Sequence, residues 1–313
     1  MTEPIDAVIL WVDGNDEALK RKRHEYAPDY LFNHKDSAGA TRFADIGEIH
    51  WCVKSINRFA PWFRKIYIIT DGQDPKVKSD IPVEIVDHKV IFRGYEQYLP
   101  VFNSNAIEAM MWRIPGLSGK FVMFNDDLML AGPVVPEDFF LEDGKVVCYA
   151  FLRGNAWTRF TRIFKRKKDN IKPFTFKGAL MNSSVVAGGG HYYVRLNHTP
   201  HALLVKCFED FYGEHPEALL RNISHRFRTS DDYVTHAMHH KLLHMRGMCK
   251  MVHPSKVLFY YEPKNKKDYT ARKLEKLQNG NYKFCCFNSL DQASPEDLAL
   301  VKEWIESRLD GRV

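Results

Sequence analysis

The run FVMFNDD, Phe121 to Asp127, ends in two adjacent carboxylates. Four apolar residues precede Asn125, so a buried strand would deliver Asp126 and Asp127 at its carboxyl end, where open α/β sheets bind ligands. Asp oxygens are hard ligands, suited to a Mg²⁺ or Mn²⁺ that bridges two phosphates. Such an ion offsets the charge developing on a leaving phosphate. A strand-ending turn would use Asn and Asp just as readily. The layout recurs in WVDG, Trp11 to Gly14, where an apolar run ends in Asp13 and a glycine that permits close backbone approach. In a first strand this suits nucleotide binding, and a plain turn would read the same way.

Other polar clusters are less specific. Nine Lys or Arg lie between Arg153 and Lys177 against one acid, Asp169. That stretch could meet an anionic glycan or a membrane surface, or form a solvated loop. Lys20 to Arg23 reads as a solvated helix face. His236, His239, His240 and His244 recur at helical spacing, which brings side chains onto one face. No HExxH pattern accompanies them, so a structural role outweighs zinc. Gly188 to Gly190 lacks the spacing of a phosphate loop and reads as a turn.

Alternating strand and helix signals supply the elements that must position these groups. Ile5–Val12, Lys65–Thr70, Val83–Val86 and Lys120–Phe124 read as strands, with helices at Ile46–Phe59 and Asn105–Trp112 between them. The later half is less regular, with helices expected at Pro200–Tyr212 and Asp231–His244 and a strand at Lys256–Tyr261. Ser294, Pro295 and Asp297 open a last helix as cap, first position and first-turn acid, and Gly311 lies just beyond it. The fold class expected is α/β, a Rossmann-like, nucleotide-sugar-transferase-like and mostly parallel sheet with helical additions in the C-terminal half. One catalytic domain, 1–313, is expected, with a nucleotide-binding half, 1–150, and an acceptor-side half, 151–313.

Bulk properties narrow the classes. The 313 residues are 45% hydrophobic and carry a net charge of +6. That composition supports a real core and mildly favours anionic partners. It is too small a charge to argue for nucleic acid, and no nucleic-acid motif is present. Six cysteines with no CxxC pair point to free thiols. No apolar run approaches the ~20 residues of a membrane span, and the start Met1-Thr2-Glu3-Pro4 lacks a signal peptide's segments. The expected location is cytoplasmic, with at most peripheral contact at the inner face of the membrane.

Four stretches occur together in a recognisable order: IDAVILWVDGNDEAL (Ile5–Leu19); RFADIGEIHWCVKSINRFAPWFRKIYIITDGQDP (Arg42–Pro75) continued by NSNAIEAMMWRIPGLSGKFVMFNDDLML (Asn103–Leu130); HTPHALLVKCFEDF with HRFRTSDD (within His198–Asp232); and, more weakly, KFCCFNSLD (Lys283–Asp291). In these blocks the chain resembles the Stealth family, which includes bacterial capsular polysaccharide phosphotransferases and the catalytic subunit of the lysosomal-enzyme N-acetylglucosamine-1-phosphotransferase. The resemblance implies transfer of a sugar-1-phosphate from a nucleotide sugar, usually UDP-linked, to a glycan or lipid-linked glycan hydroxyl. A phosphodiester forms and the nucleoside monophosphate leaves. It also implies partner enzymes of capsule synthesis.

Residue by residue, the resemblance makes Asp127, with Asp126 beside it, the metal ligands. His198 becomes a general base or phosphate contact, and Arg228 a bidentate clamp on the transferring phosphate. Trp11, Asp13 and Gly14 would line the nucleotide site, with Arg42, Glu48, Lys54 and Asn105 facing the same cleft. The chain departs from the family pattern at three points: Lys54 stands for a common arginine, Asn105 for a common histidine, and Ser289 for the usual aspartate. Asn288 or Asp291 would then have to complete the metal shell. Two other readings stand beside this one, a metal-dependent glycosyltransferase that releases UDP and a non-catalytic glycan-binding subunit.

Overall fold

The computed structural model describes residues 3–27, 46–154 and 174–311. The chain runs β1 (Ile5–Leu10), α1 (Glu17–Tyr26), α2 (Glu48–Phe59), β2 (Ile66–Thr70), β3 (Val83–Asp87), α3 (Ser104–Met110), β4 (Lys120–Asn125), β5 (Leu128–Leu130) and β6 (Val146–Gly154). It continues with α4 (Phe176–Val186), β7 (Tyr192–Leu196), β8 (His201–Leu204), α5 (Val205–Glu214), α6 (Pro216–Ile223) and α7 (Thr235–Met245). The last elements are β9 (Cys249–Val252), β10 (Leu258–Tyr261), α8 (Tyr269–Asn279), β11 (Phe284–Phe287) and α9 (Pro295–Asp310). Short 3₁₀ turns and a helical turn at His88–Ile91 join them.

The main sheet has the order β3-β2-β1-β4-β8. Its first four strands are parallel and β8 runs antiparallel to β4. Parallel strands covered on both faces read as continuous apolar runs, and every residue of β2 and all but the last of β1 are buried. The carboxyl ends of β1 to β4 therefore share one edge. This is the α/β, Rossmann-like, mostly parallel arrangement that the strand–helix alternation implies.

The C-terminal half adds strands as well as helices, and with β5 and β6 these form two further three-stranded sheets, β10-β11-β5 and β7-β6-β9. The stretch expected as a helix from Pro200 begins instead as β8, which pairs Met123 with His201 and Val122 with Ala202. Four apolar-rich residues do not distinguish strand from buried helix by periodicity, and the open edge of β4 decides it.

Local signals explain the helices that hold the site. In α2, Ile49, Cys52, Val53, Ile56 and Phe59 are buried at helical spacing, and the helix stops at Ala60, before Pro61. In α9, Ser294 Oγ accepts from Asp297 N at 3.1 Å, Pro295 takes the first position, and Gly311 closes the end at φ 81°. One large apolar cluster joins the main sheet to β11 and α9. A smaller one, with Phe174, Leu180 and Val194, underlies α4 and β7.

A buried ion pair anchors the other end of the main sheet. Asp6 is fully buried on β1 and takes Arg64 Nε at 2.8 Å and Nη2 at 2.5 Å, and Ser118 N at 2.7 Å. Arg64 is partly exposed, which screens its share. Asp6→Ala is expected to lower stability by about 2–3 kcal/mol, mostly from the unsatisfied Ser118 amide and the lost pair. Urea unfolding measures this, and an unchanged midpoint would contradict the assignment.

Candidate functional site

A cleft of about 980 Å³ opens along the carboxyl edge of the main sheet. Asp126 and Asp127 form the turn between β4 and β5 at its centre. The turn is braced from three sides. On α2, Cys52 Sγ reaches Asn125 O at 3.8 Å and Ser55 Oγ accepts from Leu130 N at 3.0 Å. Strand β11 lies antiparallel to β5, pairing Cys286 with Leu128, and Phe287 N donates to Asp127 O at 3.2 Å. From the β7–β8 connection, His198 brings Nδ1 to 3.9 Å from Asp127 Oδ2.

Asp127 thus sits with His198 and Cys286, each offering a donor atom within 4.8 Å of the others. The Cys286 thiol donates to Asp127 Oδ2 at 3.3 Å, while Asp127 Oδ1 is buried with no hydrogen-bond partner among the described residues. Burial raises the Asp127 pKa, opposed by His198. An unsatisfied buried carboxylate oxygen is costly, and a cation is the partner that would offset it. The donor set therefore fits a divalent ion.

On the far wall, Arg228 Nη2 donates to Ser104 Oγ, and its guanidinium lies 5.2 Å from the Phe174 ring. The loop carrying Arg228 is tied to α3 by the buried Asp232. Asp232 Oδ2 accepts from Asn103 Nδ2 at 2.8 Å, Asn105 Nδ2 at 3.3 Å and Thr229 N at 3.2 Å. Its Oδ1 takes Thr229 Oγ1 at 3.1 Å and lies 3.3 Å from His225, whose pKa this contact raises. Each acceptor position is used, so the loop has a defined seat.

The pattern of Stealth protein CR2, conserved region 2, matches residues 42–148, and that of CR1, conserved region 1, matches residues 3–31. A capsular polysaccharide phosphotransferase of Streptococcus thermophilus is 36% identical over 162 residues, 51% of this chain and 67% of that one. The chain belongs to the Stealth family. An exopolysaccharide phosphotransferase of Streptomyces coelicolor is 33% identical over 262 residues, 82% of this chain. The chain spans 42% of the length of that relative and 39% and 54% of two others from the same organism. Among solved structures, apo mouse xyloside xylosyltransferase 1 is similar with a TM-score of 0.42 and 10% identity, over 92% of this chain and 98% of that one.

This Stealth chain gathers most of the sequence-predicted residues. Trp11, Glu48, Asn105, Asp126, Asp127, His198, Arg228 and Asn288 all line the cleft. Lys54 does not join them. It pairs with Asp310 at the partly exposed contact between α2 and α9. Asp13 turns its carboxylate to the backbone, where Oδ1 accepts from Asn15 N at 2.8 Å, and neither it nor Gly14 is among the cleft-lining residues. Asn105 lines the cleft, yet its amide serves Asp232. Asn288 lines the cleft, where its Nδ2 donates to Ser289 Oγ at 2.8 Å, and the donor atoms grouped with Asp127 are those of His198 and Cys286. Asp291 lines the cleft, with its pKa raised by burial. Arg42 and most of the basic stretch, residues 155–173, lie outside the described residues.

The α7 histidines form no shared metal face among the described residues. His236 Nδ1 meets Glu108 Oε2 at 3.0 Å, His239 Nε2 accepts from Leu204 N at 3.0 Å, His240 Nδ1 meets Cys148 Sγ at 3.3 Å, and His244 packs edge-on to Tyr192. His236 nevertheless lines the cleft, as do Glu108, His201 and His88, and residue spacing alone did not single out the last three as site residues. Glu108 and Asn105 sit one turn apart on α3, a signal the helical spacing does carry.

Burial lowers the pKa of His239 to about 3 and of His88 to about 4, and pushes His201 and His240 well down. These imidazoles fold neutral but regain a pKa of about 6.5 when unfolded. Below that value the unfolded chain binds more protons, so the stability present above about pH 6.5 is lost as pH falls toward the lowered values. The slope is up to about 1.4 kcal/mol per histidine per pH unit. Thermal melting is expected to drop steeply between about pH 7 and about pH 5, and a flat profile would contradict the buried neutral assignment.

Proposed function

We propose that this Stealth chain transfers a sugar-1-phosphate from a UDP-sugar to a hydroxyl of a glycan or lipid-linked glycan during capsular or extracellular polysaccharide synthesis. The observation that carries the reading is Asp127: a buried carboxylate with one unsatisfied oxygen, His198 beside it and Arg228 across the same cleft. The names of the relatives, exopolysaccharide and capsular polysaccharide phosphotransferases, support the reaction class.

In this reading the acceptor oxygen attacks the phosphorus next to the sugar. The phosphoanhydride bond to the nucleoside phosphate breaks, and UMP leaves with the bonding electrons. His198 presents Nδ1 toward Asp127, so its Nε2 is available to take the hydroxyl proton. Arg228, its fork oriented by Ser104 and Phe174, binds the non-bridging oxygens of the transferring phosphate. Asp126 and Asp127 would hold Mg²⁺ or Mn²⁺ through their hard carboxylate oxygens, and the ion would supply charge to stabilise the departing phosphate. Partner enzymes of polysaccharide synthesis would supply the acceptor. Peripheral contact with the inner face of the membrane is part of the proposal; no helix among the described residues is long and apolar enough to cross a bilayer.

The test is incubation with a panel of nucleotide sugars, a glycan acceptor and Mg²⁺ or Mn²⁺. Phosphorus NMR reads phosphodiester formation, and chromatography identifies the released nucleotide. UMP with a new phosphodiester is the expected result. UDP with no phosphodiester would make the protein an ordinary glycosyltransferase.

A further inference from the structure

The carboxyl edge of the main sheet runs from Asp126 and Asp127, after β4, to His88, directly after β3. With order β3-β2-β1-β4, three strand spacings of ~4.8 Å, about 14 Å in all, separate the two ends. That places His88 at the end of the cleft remote from the candidate cation site.

His88 is only 2% exposed, lines the cleft, and has no hydrogen-bond partner on either ring nitrogen among the described residues. Leaving a buried donor and acceptor unsatisfied is costly, so such a group calls for a partner that the chain does not provide. Beside it stands Asp71, with Oδ1 at 3.8 Å from His88 Nδ1. Lys22 grips the other oxygen, Oδ2, at 2.6 Å, which fixes the carboxylate in place from α1. Burial keeps the imidazole neutral at physiological pH, so one nitrogen donates and the other accepts. The walls at this end include Trp11, Leu19, Phe102 and Ile107. Apolar walls with a few convergent polar groups describe a site for a flat, largely apolar ring with a polar edge.

We infer that His88 and Asp71 read the edge of the donor's nucleobase, and that this edge is an imide as in uracil: Asp71 accepts the ring N–H and His88 donates to the neighbouring carbonyl. The inference rests on the nucleotide-sugar reading above and assigns the side chains that read its base. Cytosine would turn an acceptor nitrogen toward Asp71, setting lone pairs against a carboxylate. Guanine offers the same N–H and carbonyl pair as uracil on a larger ring, so the measurement includes it.

Calorimetric titration of the whole chain with UMP, CMP, GMP and pyrophosphate, each with Mn²⁺, tests this. Wild type is expected to prefer UMP to CMP by about tenfold or more. His88→Ala and Asp71→Asn should shrink that gap to about threefold or less and leave pyrophosphate affinity unchanged. His88→Gln keeps a donor and should retain part of the gap. Melting curves establish that each variant is folded, and His88→Gln with Asp71→Asn carries the comparison where His88→Ala does not fold. Folded variants that keep the full preference for UMP over CMP overturn the inference and leave the donor reading standing. GMP binding as tightly as UMP overturns the uracil assignment. A wild-type chain that binds pyrophosphate but no nucleotide overturns both the inference and the reading beneath it.

Discussion

Asp127→Ala is expected to lower phosphodiester formation by about a thousandfold, the scale of losing preorganised charge stabilisation at a transferring phosphate. The carboxylate touches both other donors of the cluster, His198 and Cys286, and its Oδ1 has no partner within the described residues. Asp127→Asn is the sharper variant. It preserves volume, the turn and an acceptor for the Cys286 thiol, while removing the charge that a cation needs. Its rate should fall nearly as far. Initial rates of nucleotide release across a Mg²⁺ titration measure the effect, since weakened cation binding would show partial rescue at high concentration. A variant within about tenfold of wild type would argue against a charge role. Retained polymer assembly in a strain carrying only the Asp127→Ala chain would favour the glycan-binding alternative.

Arg228→Lys should cost about a hundredfold or more in kcat, although the positive charge survives. Arginine offers two parallel N–H donors to a phosphate, and lysine offers a point charge on a flexible stem. The structure orients the fork: Nη2 is held by Ser104 Oγ at the start of α3, the plane lies by the Phe174 ring, and Asp232 seats the loop. A loss confined to kcat means the contact tightens at the transition state, whereas a rise in KM alone would make Arg228 a donor-binding residue. Lysine at wild-type rate would remove the clamp from the mechanism.

The parts of the fold legible in the sequence are those with strong local signals. The four parallel strands are predominantly apolar runs closed by turn residues, and α9 carries a cap, a first-turn proline and a terminal glycine at once. Strand β8 was hidden because His201-Ala-Leu-Leu is too short for a period to register, and only the free edge of β4 makes it a strand. The site shows the same division. Asp126 and Asp127 are announced by the strand that ends in them, whereas Cys286 becomes their neighbour only through the pairing of β11 with β5. Lys54 misled because charge type says nothing of direction: its helix turns it to Asp310 rather than into the cleft. His88 and Asp71 carry no motif at all, and what marks them is an unmet pair of ring nitrogens deep in a cleft.

The trio of Asp127, His198 and Cys286 comes from three stretches far apart along the chain, on β4–β5, the β7–β8 connection and β11. An ion seated on Asp127 would lie where those three stretches meet, a place that exists only in the folded chain, and no short fragment could hold it. Closing such long loops is entropically expensive in the unfolded chain, so the ion would bind the folded state alone and stabilise it by mass action. Free cation concentration then becomes a control on how long the chain survives heat or protease, separate from its part in turnover.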